Sequence, residues 1–349
     1  MTRSVVPLIL LYVLLLWPAA LIEAAEGTKP VEVYEPPVLL TRVNPVYPRS
    51  AQVKGEEAWV DLQFMVGTDG RPYEVAVADS MGAEEFSEIA AKVVERWVYQ
   101  AGRMNGQPLD AAVRIHLMFS LDRGKSGARS LFSQQFKSIK KHIEKNERAA
   151  ALELLGKADA RNHFEEVFLQ IGWYHFHVRW GTPEQQRVAL TRATASGPDV
   201  RHVPLDFIQM IMLARFGAEV RTNHFGAALN TAKVLNELQE AGTVKLEADR
   251  LRSLGEMADK IKALKKDDTT FVVDGAIGEH SNWVYTLLKD EMTFHVLDGE
   301  IAELKLRCER RYVGFRFAAD SIFKIPESYG NCELEVIGNP GTTFTLTQS

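Results

Sequence analysis

Nine histidines, two cysteines and several adjacent carboxylates are the groups in this 349-residue chain that could do chemistry. His175 and His177 stand two apart in a predicted helix. That spacing sends them to nearly opposite sides, so they cannot share a metal ion. No His-Glu-x-x-His run accompanies them, and no Gly-x-Ser-x-Gly elbow, phosphate-cradling glycine loop or EF-hand loop occurs. Glu165-Glu166 and Asp267-Asp268 are neighbours in sequence, with nothing to place them across a cleft. The reading is a protein that is not an enzyme, with no cofactor and no metal, although a site distributed along the chain would leave no local motif. Trp173, Tyr174, Phe176 and Trp180 surround the two histidines, which points to amphipathic packing. Cys308 and Cys332 each fall on the apolar phase of a predicted strand, so both thiols face one interior. A disulfide between neighbouring strands or sheets is expected, with two buried free cysteines as the alternative. Two sulfurs without a nearby histidine do not complete zinc's four ligands.

The clearest pattern lies between residues 44 and 121. Val60, Leu62, Phe64 and Val66 alternate with Trp59, Asp61, Gln63 and Met65, as in a half-buried strand. Thr68-Asp69-Gly70 turns the chain, and Tyr73, Val75 and Val77 continue the buried phase. Phe86, Ile89, Ala90, Val93, Val94 and Trp97 then follow a helical stripe. After Asn105-Gly106 a last strand alternates Val113, Ile115, Leu117, Phe119 and Leu121 with Arg114, His116, Met118 and Ser120. The unit reads as β-β-α-β.

Residues 36–122 resemble the TonB C-terminal domain family. Tyr47-Pro48, Ala51 and Gly55 look like its opening motif, and Asp69-Gly70 matches its turn. Ser80 matches the end of the second strand, and Phe86, Ala90 and Ala91 match the helix. Trp97, Tyr99, Ala101, Asn105-Gly106, Pro108 and Phe119 resemble the closing part, with Gln100 where a proline is usual. The resemblance implies a domain that lends its edge strand to a short segment of an outer-membrane receptor, while inner-membrane motor proteins supply force. It also implies that the edge is the last strand. Val113, Arg114, Ile115, His116, Leu117, Met118 and Phe119 are then the expected partner-binding residues, offering unpaired backbone groups to an extended peptide.

The rest of the chain divides by periodicity. Residues 5–22 are almost wholly apolar after Arg3, so residues 1–24 read as an export signal or a membrane anchor. Either way the remainder lies in the periplasm, secreted across or anchored in the inner membrane. Residues 25–43 read as a linker and 44–122 as the TonB-like domain. Residues 131–264 are helical, with Ala151-Leu152, Ala189-Leu190 and Ala228-Leu229 spaced by 38 and 39 residues. They suggest three stacked hairpins resembling tetratricopeptide repeats, or an irregular bundle. Residues 270–349 alternate like the short strands of an all-β sandwich. The fold class is multidomain α+β.

A formal charge of −5 leaves no basic footprint for nucleic acid, and no small-molecule substrate is evident. Envelope proteins are the expected partners. Residues 24–42 reach at most ~60 Å when extended and hold only Pro30, Pro36 and Pro37, unlike the long proline-rich spacer usual in the family's transducers. This favours a short-tethered or soluble periplasmic binding protein over an energy transducer. A periplasmic scaffold that binds through its helical repeats is the alternative.

Overall fold

The computed structural model describes residues 33–121, 127–198, 200–319 and 321–349. The apolar stretch at residues 5–22, and with it the choice between signal and anchor, lies outside the described residues. The first part of the chain holds β1 (Tyr34–Glu35), β2 (Val38–Thr41), helix α1 (Arg49–Lys54), β3 (Ala58–Val66), β4 (Pro72–Met81) and helix α2 (Glu84–Val94). It continues with β5 (Val98–Gln100), β6 (Gly102–Met104), β7 (Gln107–Leu109) and β8 (Ala111–Phe119). An antiparallel sheet of order β4-β3-β8 carries α2 on one face. Val60, Leu62, Phe64 and Val66 meet Phe86, Ala90, Val93 and Val94 there, as the two periodicities require.

Two details differ from the sequence reading. Part of the expected linker is strand, since β1 pairs with β6 and β2 with β5. Strands of two and four residues are too short for alternation to reveal. Helix α2 also stops at Val94, short of Trp97, whose indole N–H instead donates to the Val43 carbonyl at 2.8 Å. Gly70 has φ +76°, and a Cβ built on it would stand 2.1 Å from the Tyr99 carbonyl oxygen. Only glycine serves at that turn, because any side chain would collide with the backbone.

Among the described residues seven α-helices follow: α3 (Ser130–Glu144), α4 (Arg148–Lys157), α5 (His163–Trp180), α6 (Pro183–Ala193), α7 (Leu205–Arg221), α8 (Phe225–Glu240) and α9 (Ala248–Leu264). Each packs against its successor in the chain. Thr182 and Gln185 form a reciprocal cap on α6, with Pro183 in its first turn.

The last part comprises β9 (Phe271–Ala276), β10 (Asn282–Thr286), β11 (Glu291–Asp298), β12 (Ile301–Cys308), β13 (Arg311–Arg316), β14 (Phe323–Lys324), β15 (Cys332–Gly338) and β16 (Thr343–Gln348). These pair as two antiparallel sheets, β10-β15-β12-β13 and β14-β11-β16-β9. Leu304 and Val336 of one sheet and Val273 and Leu346 of the other share a core with Ile208, Leu235 and Ile261 of the helices. Residues 265–268 thus separate helix from strand without separating two cores. At this junction Gly226 lies against Thr286, whose carbonyl oxygen would be 2.6 Å from an added Cβ.

Cys308 and Cys332 are register partners on β12 and β15 and form a disulfide closing 24 residues. Cys308→Ala is expected to cost about 2–5 kcal/mol. Alkylation without reduction should label neither thiol. Two labelled thiols in freshly purified protein, with an unchanged urea midpoint in the variant, would contradict the expectation.

Candidate partner-binding edge

Strand β3 runs against β8 without interruption, from Ala58↔Phe119 to Val66↔Ala111. The irregularities of the sheet lie between β3 and β4. At the hairpin joining those two, the Gly67 N–H donates to the Arg71 carbonyl at 2.9 Å. Backbone groups alternate in direction along a strand. Odd-numbered residues of β3 therefore face β4, and even-numbered ones face β8. Val60, Leu62 and Phe64 engage Leu117, Ile115 and Val113, while the backbone groups of Arg114, His116 and Met118 point away from the sheet. Among the described residues β8 pairs with β3 alone.

The side chains divide the expected residues into two sets. Val113, Ile115, Leu117 and Phe119 pack on the α2 side. Arg114, His116 and Met118 lie on the other face and are exposed. His116 Nδ1 lies 2.8 Å from Asp61 Oδ1, and its ring packs against Trp59. Arg114 pairs with Asp61 at 3.6 Å and with Glu333 of β15 at 2.8 Å. Burial works against ionisation of Asp61, but the His116 hydrogen bond and the Arg114 charge outweigh it and hold the carboxyl below its ordinary value. Glu333, followed by Asp61, holds the Arg114 guanidinium in its charged form.

The opposite edge of the sheet is capped. Arg192 Nη2 donates to the Ser80 carbonyl at 3.0 Å, Asn282 Nδ2 to Val77 at 3.0 Å, and Arg307 Nη2 to Glu74 at 3.2 Å. Arg192 comes from α6 and the other two from the last sheets. The sheet face away from α2 is covered as well: Trp59 and Met65 are 0% exposed and Gln63 1%. Alternation alone made this face solvent-side. The cover comes from residues more than 100 positions away, including Arg192 above the Trp59 ring and Tyr312 against Tyr73. Nothing local to 58–66 signals such a cover. Gln63, a polar residue, has neither amide atom partnered among the described residues.

His175 and His177 pack in α5, with His177 stacked on Trp173 at 5.5 Å, and burial lowers the proton affinity of both rings. No cluster of three or more His, Cys, Asp or Glu that could hold a metal occurs among the described residues. A larger titration effect is expected at His224, 3% exposed between α7 and α8. Burial first, then the charge of Arg187, pushes its ring down to about 2. The unfolded chain binds that proton near pH 6.5 and the folded chain does not. Stability is therefore complete above pH 6.5 and declines below it, by about 1.4 kcal/mol per pH unit. A loss of about 2 kcal/mol from this group is expected by pH 5. Urea midpoints at pH 7 and 5 check this: His224→Gln should flatten the decline, and an equal decline in the variant would contradict it.

No helix of the described residues is long and apolar enough to cross a membrane. Comparison with known proteins places the likeness in the first part of the chain. Residues 43–121 match the family described as Gram-negative bacterial TonB protein C-terminal. Protein TonB of Vibrio cholerae serotype O1 is 25% identical over 101 residues, covering 28% of this chain and 41% of that protein. The chain thus spans about two fifths of the length of that curated relative. Among solved structures, the Pseudomonas aeruginosa TonB CTD is 24% identical, covering 26% of this chain and 90% of its own, at a TM-score of 0.24. The TonB2 protein of Vibrio anguillarum is 29% identical, covering 25% and 82%, at a TM-score of 0.21. The family match spans the same strands, helix and turn whose residues carry the sequence resemblance, and residues 43–121 are a TonB C-terminal domain.

Proposed function

We propose that this chain is a cell-envelope protein of TonB-type transport whose β8 edge binds an extended segment of a partner by strand addition. The observation that carries the reading is the asymmetry of the β4-β3-β8 sheet. Three β4 carbonyls are occupied by side chains from later parts of the chain, while Arg114, His116 and Met118 direct their backbone groups outward. A segment laid along β8 would satisfy those groups and place alternate side chains beside Arg114, His116 and Met118. In this reading the partner is an outer-membrane receptor of the TonB-dependent kind, and inner-membrane motor proteins supply force. The work is done without catalysis, in the periplasm.

A second reading rests on the helices, taken as tetratricopeptide-like hairpins beside a β-sandwich. Val178, Met210 and Val234 are 54%, 54% and 40% exposed on α5, α7 and α8, and a scaffold could bind through them. Photo-crosslinking residues distinguish the two. Placed at 114, 116 and 118 of the exported protein, they should trap one envelope protein that residues at 178, 210 and 234 do not. The reverse pattern would overturn strand addition in favour of the scaffold.

A further inference from the structure

Beyond Phe119 the chain leaves the sheet near the start of α5, and a cavity of about 190 Å³ opens there. Met118, Ser120 and Leu121 line it from the end of β8, together with Glu57, Phe164, Val200 and Arg201. Glu57, His163 and Ser120 in its wall are held by neighbouring groups. Glu57 accepts from the Leu121 N–H at 3.0 Å through Oε1 and from the His163 N–H at 3.2 Å through Oε2. His163 lies 3.0 Å from Ser196 Oγ through Nδ1 and 3.2 Å from Ser120 Oγ through Nε2. With these atoms engaged, the apolar surface left to a ligand is that of Phe164, Val200, Leu121 and Met118, with the Arg201 side chain beside it. An apolar cavity of about 150 Å³ is large enough for benzene, so this one accommodates an aromatic or large aliphatic side chain.

We infer that this cavity is the anchor subsite of the β8 edge. It takes one Phe, Trp, Leu or Met side chain of the added segment, at the position just past Met118. The inference rests on the strand-addition reading and deepens it. Met118 belongs both to the outward-facing edge and to the cavity wall, so a strand paired along β8 runs directly to the cavity mouth. Helix α5 thereby becomes part of the recognition surface, and selectivity comes from the junction of the first domain with the helices. Backbone pairing is indifferent to sequence; the cavity supplies the choice.

The test uses the full chain and random 12-residue segments displayed on phage. Segments selected on the wild type should be lost on a folded His116→Pro chain and should share an aromatic or large aliphatic residue at one position. Replacing that residue by alanine in a synthetic segment should weaken binding roughly ten- to a hundred-fold, as expected for removing one buried apolar side chain. The same replacement should cost less than about two-fold on Ser120→Phe or Val200→Phe, each of which puts a ring into the cavity from its lining. Ser120 is exposed, so its variant is the safer one for folding, and the alanine swap needs no protein variant at all. Segments that depend on His116 but tolerate alanine would overturn the subsite and leave strand addition standing. If no selected segment depends on His116, both fail.

Discussion

Arg307→Leu is expected to destabilise the protein by about 3–5 kcal/mol, because it leaves a buried carboxylate without its cation. Arg307 is 2% exposed and pairs with Glu335, itself 3% exposed. Glu335 also accepts from Asn282 at 2.8 Å, and the same Asn282 amide reaches the Val77 carbonyl of β4. Arg307 reaches the Glu74 carbonyl on that strand and lies over the Tyr312 ring at 5.8 Å. The pair therefore sits at the seam where the last sheets cap the TonB-type sheet. Arg307→Leu combined with Glu335→Leu should cost less than Arg307→Leu alone, since no charge is then stranded. Urea unfolding of both variants gives the comparison, and amide exchange at residues 74–77 should rise in the single variant. A single variant within about 1 kcal/mol of wild type would show that the seam is wet enough to solvate Glu335.

His116→Pro should reduce partner capture by more than a hundred-fold while the domain stays folded. The expectation follows from direction. The His116 N–H points away from β3, so proline removes a donor that the sheet itself does not use. The loss of its imidazole from Asp61 costs a partly exposed contact of about 1 kcal/mol or less. Proline at Ile115 or Leu117 would break the β3–β8 ladder and test folding instead. Arg114→Glu keeps every outward backbone group and should change selectivity with a much smaller loss. Circular dichroism and the urea midpoint establish folding; capture from envelope extracts by a folded His116→Pro chain at wild-type level would contradict the prediction.

Much of this architecture is legible in the residues. Alternation from Trp59 to Val66 and from Val113 to Leu121 locates the two strands that matter most, and the stripe from Phe86 to Val94 locates the helix covering them. Cys308 and Cys332 announce their pairing through strand phase. What alternation could not reveal is the second cover of the sheet. Asp61, Gln63 and Arg114 look like a solvated face, since polar residues at period two ordinarily are. The residues that cover this face, Arg192 over Trp59, Tyr312 against Tyr73 and Glu333 on Arg114, are distributed over more than 140 residues, and only the tertiary fold assembles them. The capped β4 edge was hidden for the same reason. The shared core of helices and last sheets was equally out of reach, because residues 265–268 carry the charge and polarity of a linker while the apolar faces on either side meet.

The most direct measurement is amide hydrogen exchange of the full chain with and without the 12-residue segment selected on it. Strand addition predicts that the amides of Arg114, His116 and Met118, which face outward from β8, become protected at least ten-fold on binding. Those of Val113, Ile115 and Leu117, already bonded to β3, should change little. Unchanged exchange at 114, 116 and 118, with new protection confined to α5, α7 and α8, would contradict the account and assign recognition to the helices.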